Sequence, residues 1–206
     1  KNVVSRAKEL GYTPSSRTAA KATFDLTVNN PTVGGQTPSS LTINRGHEFT
    51  TVFDGSSFTF ISLENKTITP TTGTFVFNDL TINQGKLTSD IYRYSSQVSN
   101  QRFPMLNTNI DTSTININVT SNNIVTSWTK AGDLTGIKSS SKVYYLQEND
   151  EGLFEVYFGD GVIGASPKDG DEISISYLVT DNLHANGANV FSMATSINGN
   201  SDVTFT

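Results

Sequence analysis

Residues 143–177 read VYYLQENDEGLFEVYFGDGVIGASPKDGDEISISY. Val143–Leu146 is a short run of β-branched and aromatic residues, the composition of a strand. Glu148-Asn149-Asp150-Glu151-Gly152 is a polar turn. Leu153–Phe158 alternates apolar and polar side chains, as a half-buried strand does. Phe158-Gly159-Asp160-Gly161 follows as a tight turn, since glycine reaches positive φ without a Cβ penalty. Gly164, Pro167, Gly170 and Asp171 form a second turn region. Glu172–Val179 alternates again, with Ile173, Ile175 and Tyr177 on one face and Ser174, Ser176 and Leu178 on the other.

The same pattern extends in both directions. Ala22–Val28 alternates Ala22, Phe24, Leu26 and Val28 inward against Thr23, Asp25 and Thr27 outward. Short strands are predicted at Leu41–Gly46, Glu48–Phe53, Phe58–Ile61, Lys66–Thr69, Gly73–Ile82 and Gly85–Ser95. Asp54-Gly55 is a hairpin signal, and Asn83-Gln84 leads into Gly85 as a turn. Ser96–Phe103 is polar and reads as a linker or long loop. Ser113–Thr120 alternates Ile115, Ile117 and Val119 against polar residues, and Asn122-Asn123 turns the chain into Ile124–Trp128. Lys130–Lys142 is a polar excursion, and Thr180–Asn189 is a loop. Val190–Ala194 is a strand or one helical turn, with Phe191 and Met193 packing inward. Turns about every ten residues argue for an antiparallel sandwich or barrel rather than βαβ units.

Val3, Val4, Ala7 and Leu10 fall on one helical face. Gly11 is placed to cap that helix and Pro14 to stop it. The predicted class is therefore mainly β, antiparallel β-sandwich or barrel domains with a short N-terminal helix end. The division is 1–21 as helix end and linker, 22–110 as a first β domain and 111–206 as a second. The chain opens inside a helical pattern and stops inside a strand pattern, so a fragment of a longer protein is expected.

Composition narrows the function classes. Only 16% of the 206 residues are charged and the net charge is −5, with no basic run. Nucleic-acid binding is disfavoured, because neutralising phosphates takes clustered Lys and Arg. There is no cysteine, which removes disulfides, thiolate metal sites and thiol chemistry. No stretch approaches the length of a membrane-spanning apolar helix, and the N-terminus lacks the apolar core of a signal peptide. Ser, Thr and Asn make up about a third of the chain. They sit on the outward positions of alternating strands, which belongs to a folded β protein and not to a disordered one.

No catalytic or metal-binding constellation emerges. Asp150, Asp160, Asp169 and Asp171 lie near glycines, but their spacing matches no calcium loop. Aspartates in turns cap local backbone donors. His47 and His184 are far apart and sit in no ligand or nucleophile motif, which leaves surface or turn placement. No serine lies in Gly-x-Ser-x-Gly. Glu48, Glu64, Glu148, Glu151, Glu155 and Glu172 are the glutamates from which a glycosidase pair would have to come, and most lie at turns or outward positions. The sequons at Asn65 and Asn118 are expected by chance in so Asn- and Thr-rich a chain. Gly159-Asp160-Gly161 joins strand to strand with no helix following, so it is a hairpin turn and not a phosphate loop. Trp128 reads as a core or interface anchor. No cofactor and no metal are predicted.

One motif is specific enough to carry a resemblance. Phe158-Gly159-Asp160-Gly161-x-x-Gly164, then Pro167, Gly170-Asp171-x-Ile173 and a strand ending at Tyr177, resembles the baseplate J-like proteins of contractile phage tails. Ala7-Lys8-x-Leu10-Gly11-Tyr12-x-Pro14 followed by Ala19-Ala20-Lys21-Ala22 is similar to the family's entry into its first β domain. Leu41–Phe60 and Phe103–Asp111 are similar to later segments. Two places depart from the pattern: the polar turn at Asn182–Asn189 and the Ser/Thr-rich insert at Lys66–Asn100.

The resemblance implies a non-enzymatic structural subunit of the virion tail baseplate, assembled in the host cytoplasm. It further implies repeated copies in a wedge around the tail tube, self-association as a homodimer or a higher oligomer that forms a ring in the baseplate, contacts with other wedge proteins, and reorientation when the sheath contracts. No nucleic-acid or membrane partner is implied. On this reading the Gly159–Gly161 turn is a fixed-shape tip that contacts a neighbour, through Phe158, Asp160, Val162 and Ile163. A polar β surface with loop aromatics (Tyr92, Tyr94, Trp128, Tyr144, Tyr145) also suits a glycan-binding adhesin or tail-fibre module, and that alternative stays open. So does a β-fold glycoside hydrolase.

Overall fold

The computed structural model describes residues 16–71, 74–132, 136–181 and 183–206. The helical pattern at Val3–Leu10 lies outside the described residues. The strands, in chain order, are β1 (Lys21–Val28), β2 (Leu41–Ile43), β3 (Glu48–Phe53), β4 (Ser56–Ser62), β5 (Lys66–Ile68), β6 (Phe75–Gln84), β7 (Lys86–Arg93) and β8 (Phe103–Pro104). They continue as β9 (Ile110–Ser121), β10 (Ile124–Lys130), β11 (Val143–Glu148), β12 (Phe154–Phe158), β13 (Glu172–Val179), β14 (Ser192–Met193) and β15 (Val203–Phe205). They divide between two compact units. One centres on residues 88–178, and the other joins 18–87 to 179–206. The division near residue 110 read from the sequence treats each domain as one continuous stretch, whereas here the closing strands of one unit come from the chain's end.

The unit of residues 18–87 and 179–206 is built on a six-stranded sheet in the order β14-β3-β4-β6-β1-β15, with β2 and β5 as a separate pair. Its core holds Leu26, Val28, Leu41, Ile43, Phe49, Phe60, Phe75, Phe77, Leu80 and Ile82, each at most 2% exposed. β1 and β6 pair antiparallel, with a register break between Phe24 and Leu26. Opposite Asp25, β6 carries two residues instead of one, a β-bulge. Asp79 adopts φ 50° there, and its N–H donates to the Asp25 carboxylate at 2.7 Å. The extra residue is why Phe77 and Leu80, three positions apart, both point into the core.

The unit of residues 88–178 carries most of a seven-stranded sheet in the order β7-β13-β9-β10-β11-β12-β8. Ile173, Ile175, Tyr177, Ile117, Val119, Trp128, Tyr144, Phe154 and Val156 are buried in it. β9 and β10 form a two-residue hairpin, with Asn122 and Asn123 both at positive φ, the geometry that matches strand twist. β10 and β11, however, run parallel, through Thr129–Val143 and Lys130–Tyr144. A parallel connection needs about a dozen residues to return the chain to the starting end, and residues 131–142 supply them. The expectation of purely antiparallel sheets is corrected at this point.

Two turn assignments are corrected as well. Asn83 and Gln84 end β6 in ladder pairing, not in a turn, and are 4% and 3% exposed. Gly159-Asp160-Gly161 is not a hairpin tip either. β12 pairs with β11 and β8, whereas β13 lies between β7 and β9. Residues 159–171 are therefore a long loop between strands that are not neighbours. Local glycine chemistry foretells a chain reversal but not which strand the chain joins next.

Candidate interaction surface at the 159–166 loop

The loop is held by its own backbone. Asp160 Oδ1 accepts the N–H groups of Val162 at 2.9 Å and Ile163 at 3.1 Å. Those two donors, Val162 first, hold the Asp160 carboxyl below the usual carboxylate range. Gly161 N–H donates to the Gly164 carbonyl at 3.0 Å. The hydroxyl of Tyr145 donates to the Ile163 carbonyl at 3.2 Å, and Ala165 N–H to the Ser141 carbonyl at 2.8 Å. With the polar groups tied inward, Val162 and Ile163 face solvent at 72% and 52% exposure.

The four residues singled out from the sequence take different places. Asp160, Val162 and Ile163 share the exposed loop. Phe158 is half-buried, and its ring meets Trp128 at 4.9 Å and Phe103 at 5.7 Å, both edge-on. Phe158 thus anchors the loop's root in the unit's aromatic core, as its place at the end of a core strand requires.

The loop forms one wall of a groove of about 490 Å³. Residues Ser96 and Val98–Arg102 form the other wall, and Tyr145 and Tyr157 line it from the sheet. The two tyrosine rings stack at 5.0 Å with planes 21° apart, and the Arg102 guanidinium lies 3.8 Å from the Tyr157 ring centroid. Sequence reading missed this wall because residues 96–103 carry no motif. An arginine and a tyrosine separated by 55 positions give no signal that they will meet.

Other candidates are spent on structure. Asp169 Oδ1 accepts from Ser96 N–H and its hydroxyl, and Asp171 Oδ2 accepts from Lys168 N–H. Among the described residues, no three His, Cys, Asp or Glu side chains cluster as a metal site would need. Trp128 and Tyr144 are 7% and 4% exposed, so neither offers a face for a sugar to stack on. His47 has its ring half-buried 5.2 Å from Phe49, and that burial lowers its pKa. His184 is exposed.

Residues 90–180 match the family model of the third domain of the bacteriophage baseplate wedge protein gp6. This span nearly coincides with the 88–178 stretch of the seven-stranded unit. The chain is also similar to the baseplate wedge protein gp6 of Enterobacteria phage T4, at 27% identity over 213 aligned positions. Both matches are to baseplate wedge proteins of bacteriophages. The alignment covers 94% of this chain and 31% of the T4 protein, so the chain spans about a third of that relative's length.

Proposed function

We propose that this chain is a structural, non-enzymatic part of a contractile-tail baseplate wedge. It associates with further copies of itself and with other wedge proteins, and passes on their rearrangement when the sheath contracts. The observation that carries this reading is the similarity to T4 gp6 along 94% of the chain. The sequence resemblance to the baseplate J-like proteins points the same way.

The 159–166 loop is the contact surface in this proposal. A side chain held in one place before binding loses less conformational entropy on binding. The Asp160 hydrogen bonds fix the backbone that presents Val162 and Ile163. A mechanical role needs interfaces whose two packings differ by only a few kcal/mol. Small apolar contacts on a rigid support suit that better than an extensive buried core. The glycan-binding alternative loses support from the burial of Trp128 and Tyr144.

The test is sedimentation over a concentration series, first of the chain alone and then mixed with the other baseplate components of its own particle. Association in either experiment is expected. A strict monomer that ignores every one of those components would overturn the proposal.

A further inference from the structure

Arg102 is an exposed cation held in a groove without an anion. Its guanidinium lies over the Tyr157 ring at 3.8 Å, and Tyr157 is itself stacked on Tyr145. Among the described residues no carboxylate forms an ion pair with it. Asp160, which also lines the groove, uses one carboxylate oxygen on Val162 and Ile163. Stacking leaves the edge of a guanidinium free, and that edge is a fork of N–H donors matched to a carboxylate. The groove is therefore organised to take an acidic side chain entering between its two walls.

The same hairpin presents such side chains at its other end. β11 and β12 are paired from Tyr144–Phe158 to Glu148–Phe154, and the turn beyond carries Asp150 and Glu151, both exposed. Asn149 shapes that turn: its Oδ1 accepts the N–H groups of Glu151 and Leu153, each at 3.0 Å. Neither Asp150 nor Glu151 has a cation partner among the described residues. Tyr157 and Phe154 are three residues apart, about 10 Å along a strand. The paired strands hold that separation, so Arg102 and the acidic turn of one chain cannot meet each other. They can meet between two chains.

We propose that the acidic turn at Asp150–Glu151 of one copy docks into the Arg102 groove of the next. This rests on the self-association reading above and names the surfaces that carry it. The contact is head-to-tail, which generates rings or filaments rather than closed pairs. It also answers an electrostatic difficulty. Copies of net charge −5 repel one another, and a paired Arg and carboxylate at the contact offset that locally.

Charge reversal of the intact chain tests this. Arg102→Glu alone, and Asp150→Lys with Glu151→Lys, should each weaken self-association at least tenfold in sedimentation at low salt. Circular dichroism and Trp128 fluorescence should stay unchanged. Mixing the two variants should restore association, because each then meets an opposite charge at both ends. The chain has no cysteine, so Ser99→Cys mixed with Asp150→Cys should give a disulfide between the two variants. Association that neither reversal weakens, or that mixing does not restore, overturns the docking and leaves self-association standing. A chain that stays monomeric up to its solubility limit overturns both.

Discussion

The carbonyl oxygen of Gly164 lies well under 3.0 Å from where a Cβ on Gly159 would sit, and the carbonyl oxygen of Ile163 crowds the same point. The loop returns so closely over its own root that only hydrogen fits at residue 159. Gly161, two residues further along the same loop, has φ 86° and nothing within 4 Å of where its Cβ would sit. Its constraint is conformational and not steric contact.

The two glycines therefore predict different responses to alanine. At Gly161 the cost is that of a left-handed residue, about 1 kcal/mol. At Gly159 the carbonyls of Ile163 and Gly164 are backbone atoms and cannot swing aside, so the loop must open. A loss of about 2 kcal/mol or more is expected. Urea unfolding followed by Trp128 fluorescence checks this, since Trp128 packs against Phe158, the residue before Gly159. Equal losses for the two variants would count against the steric argument.

Alkaline pH should destabilise the 88–178 unit. Tyr144 is 4% exposed, and burial pushes its pKa up to about 12. Tyr177 is raised too, by burial first and then by its hydrogen bond to Asp90, at 2.6 Å. A tyrosine with a raised folded pKa keeps its proton longer folded than unfolded. Its stabilising effect is complete below the unfolded value of about 10 and is lost as pH rises through the folded one. Stability should fall between about pH 10 and pH 12, by about 2–3 kcal/mol for Tyr144. Tyr144→Phe should flatten that slope while leaving behaviour below about pH 9 nearly unchanged, since the hydroxyl removed is replaced by nothing larger. Thermal unfolding of both proteins across that pH range measures the slopes.

In the other unit, Gln84 organises a buried polar cluster. Its Oε1 accepts from the Thr180 hydroxyl at 2.7 Å and from Asp181 N–H at 3.0 Å, and its Nε2 donates to Asp181 Oδ2 at 3.1 Å. Thr180 and Gln84 are 2% and 3% exposed. Gln84→Leu preserves the side chain's approximate volume but removes the acceptor shared by two donors. A loss of about 2–3 kcal/mol is expected from the buried groups left without it. Urea denaturation monitored by far-UV circular dichroism measures it, and a loss below about 0.5 kcal/mol would show that the cluster is not cooperative.

Strands are legible wherever one face meets the core. Glu48–Phe53 is read from the sequence and found in the fold with the same bounds. Ile173, Ile175 and Tyr177 are buried as their alternation predicts. Phe191 and Met193 pack against a core, as expected. Long-range pairing is not legible. The parallel register of Thr129 with Val143 depends on where the 131–142 excursion returns, and the bulge opposite Asp25 depends on which strand lies beside it. The site divides the same way. Asp160, Val162 and Ile163 stand out because glycines flank them, whereas Arg102 becomes notable only when the fold brings it over Tyr157.

The double variant Asp160→Ala with Val162→Asp tests the loop as a contact surface. Asp160 is exposed, and the Val162 and Ile163 N–H groups that it accepts hold its carboxyl below the usual carboxylate range, which favours the charged form that makes the tether. Removing it frees a surface loop without opening the core, because Phe158 remains locked against Trp128 and Phe103. Val162 is 72% exposed, so an aspartate there is solvated in the free chain and desolvated only in a complex. The thermal midpoint should therefore barely move, while binding to wedge partners weakens about tenfold or more. Sedimentation of the variant with the baseplate components measures the second effect, and normal wedge formation by a folded variant would remove the loop from the interface.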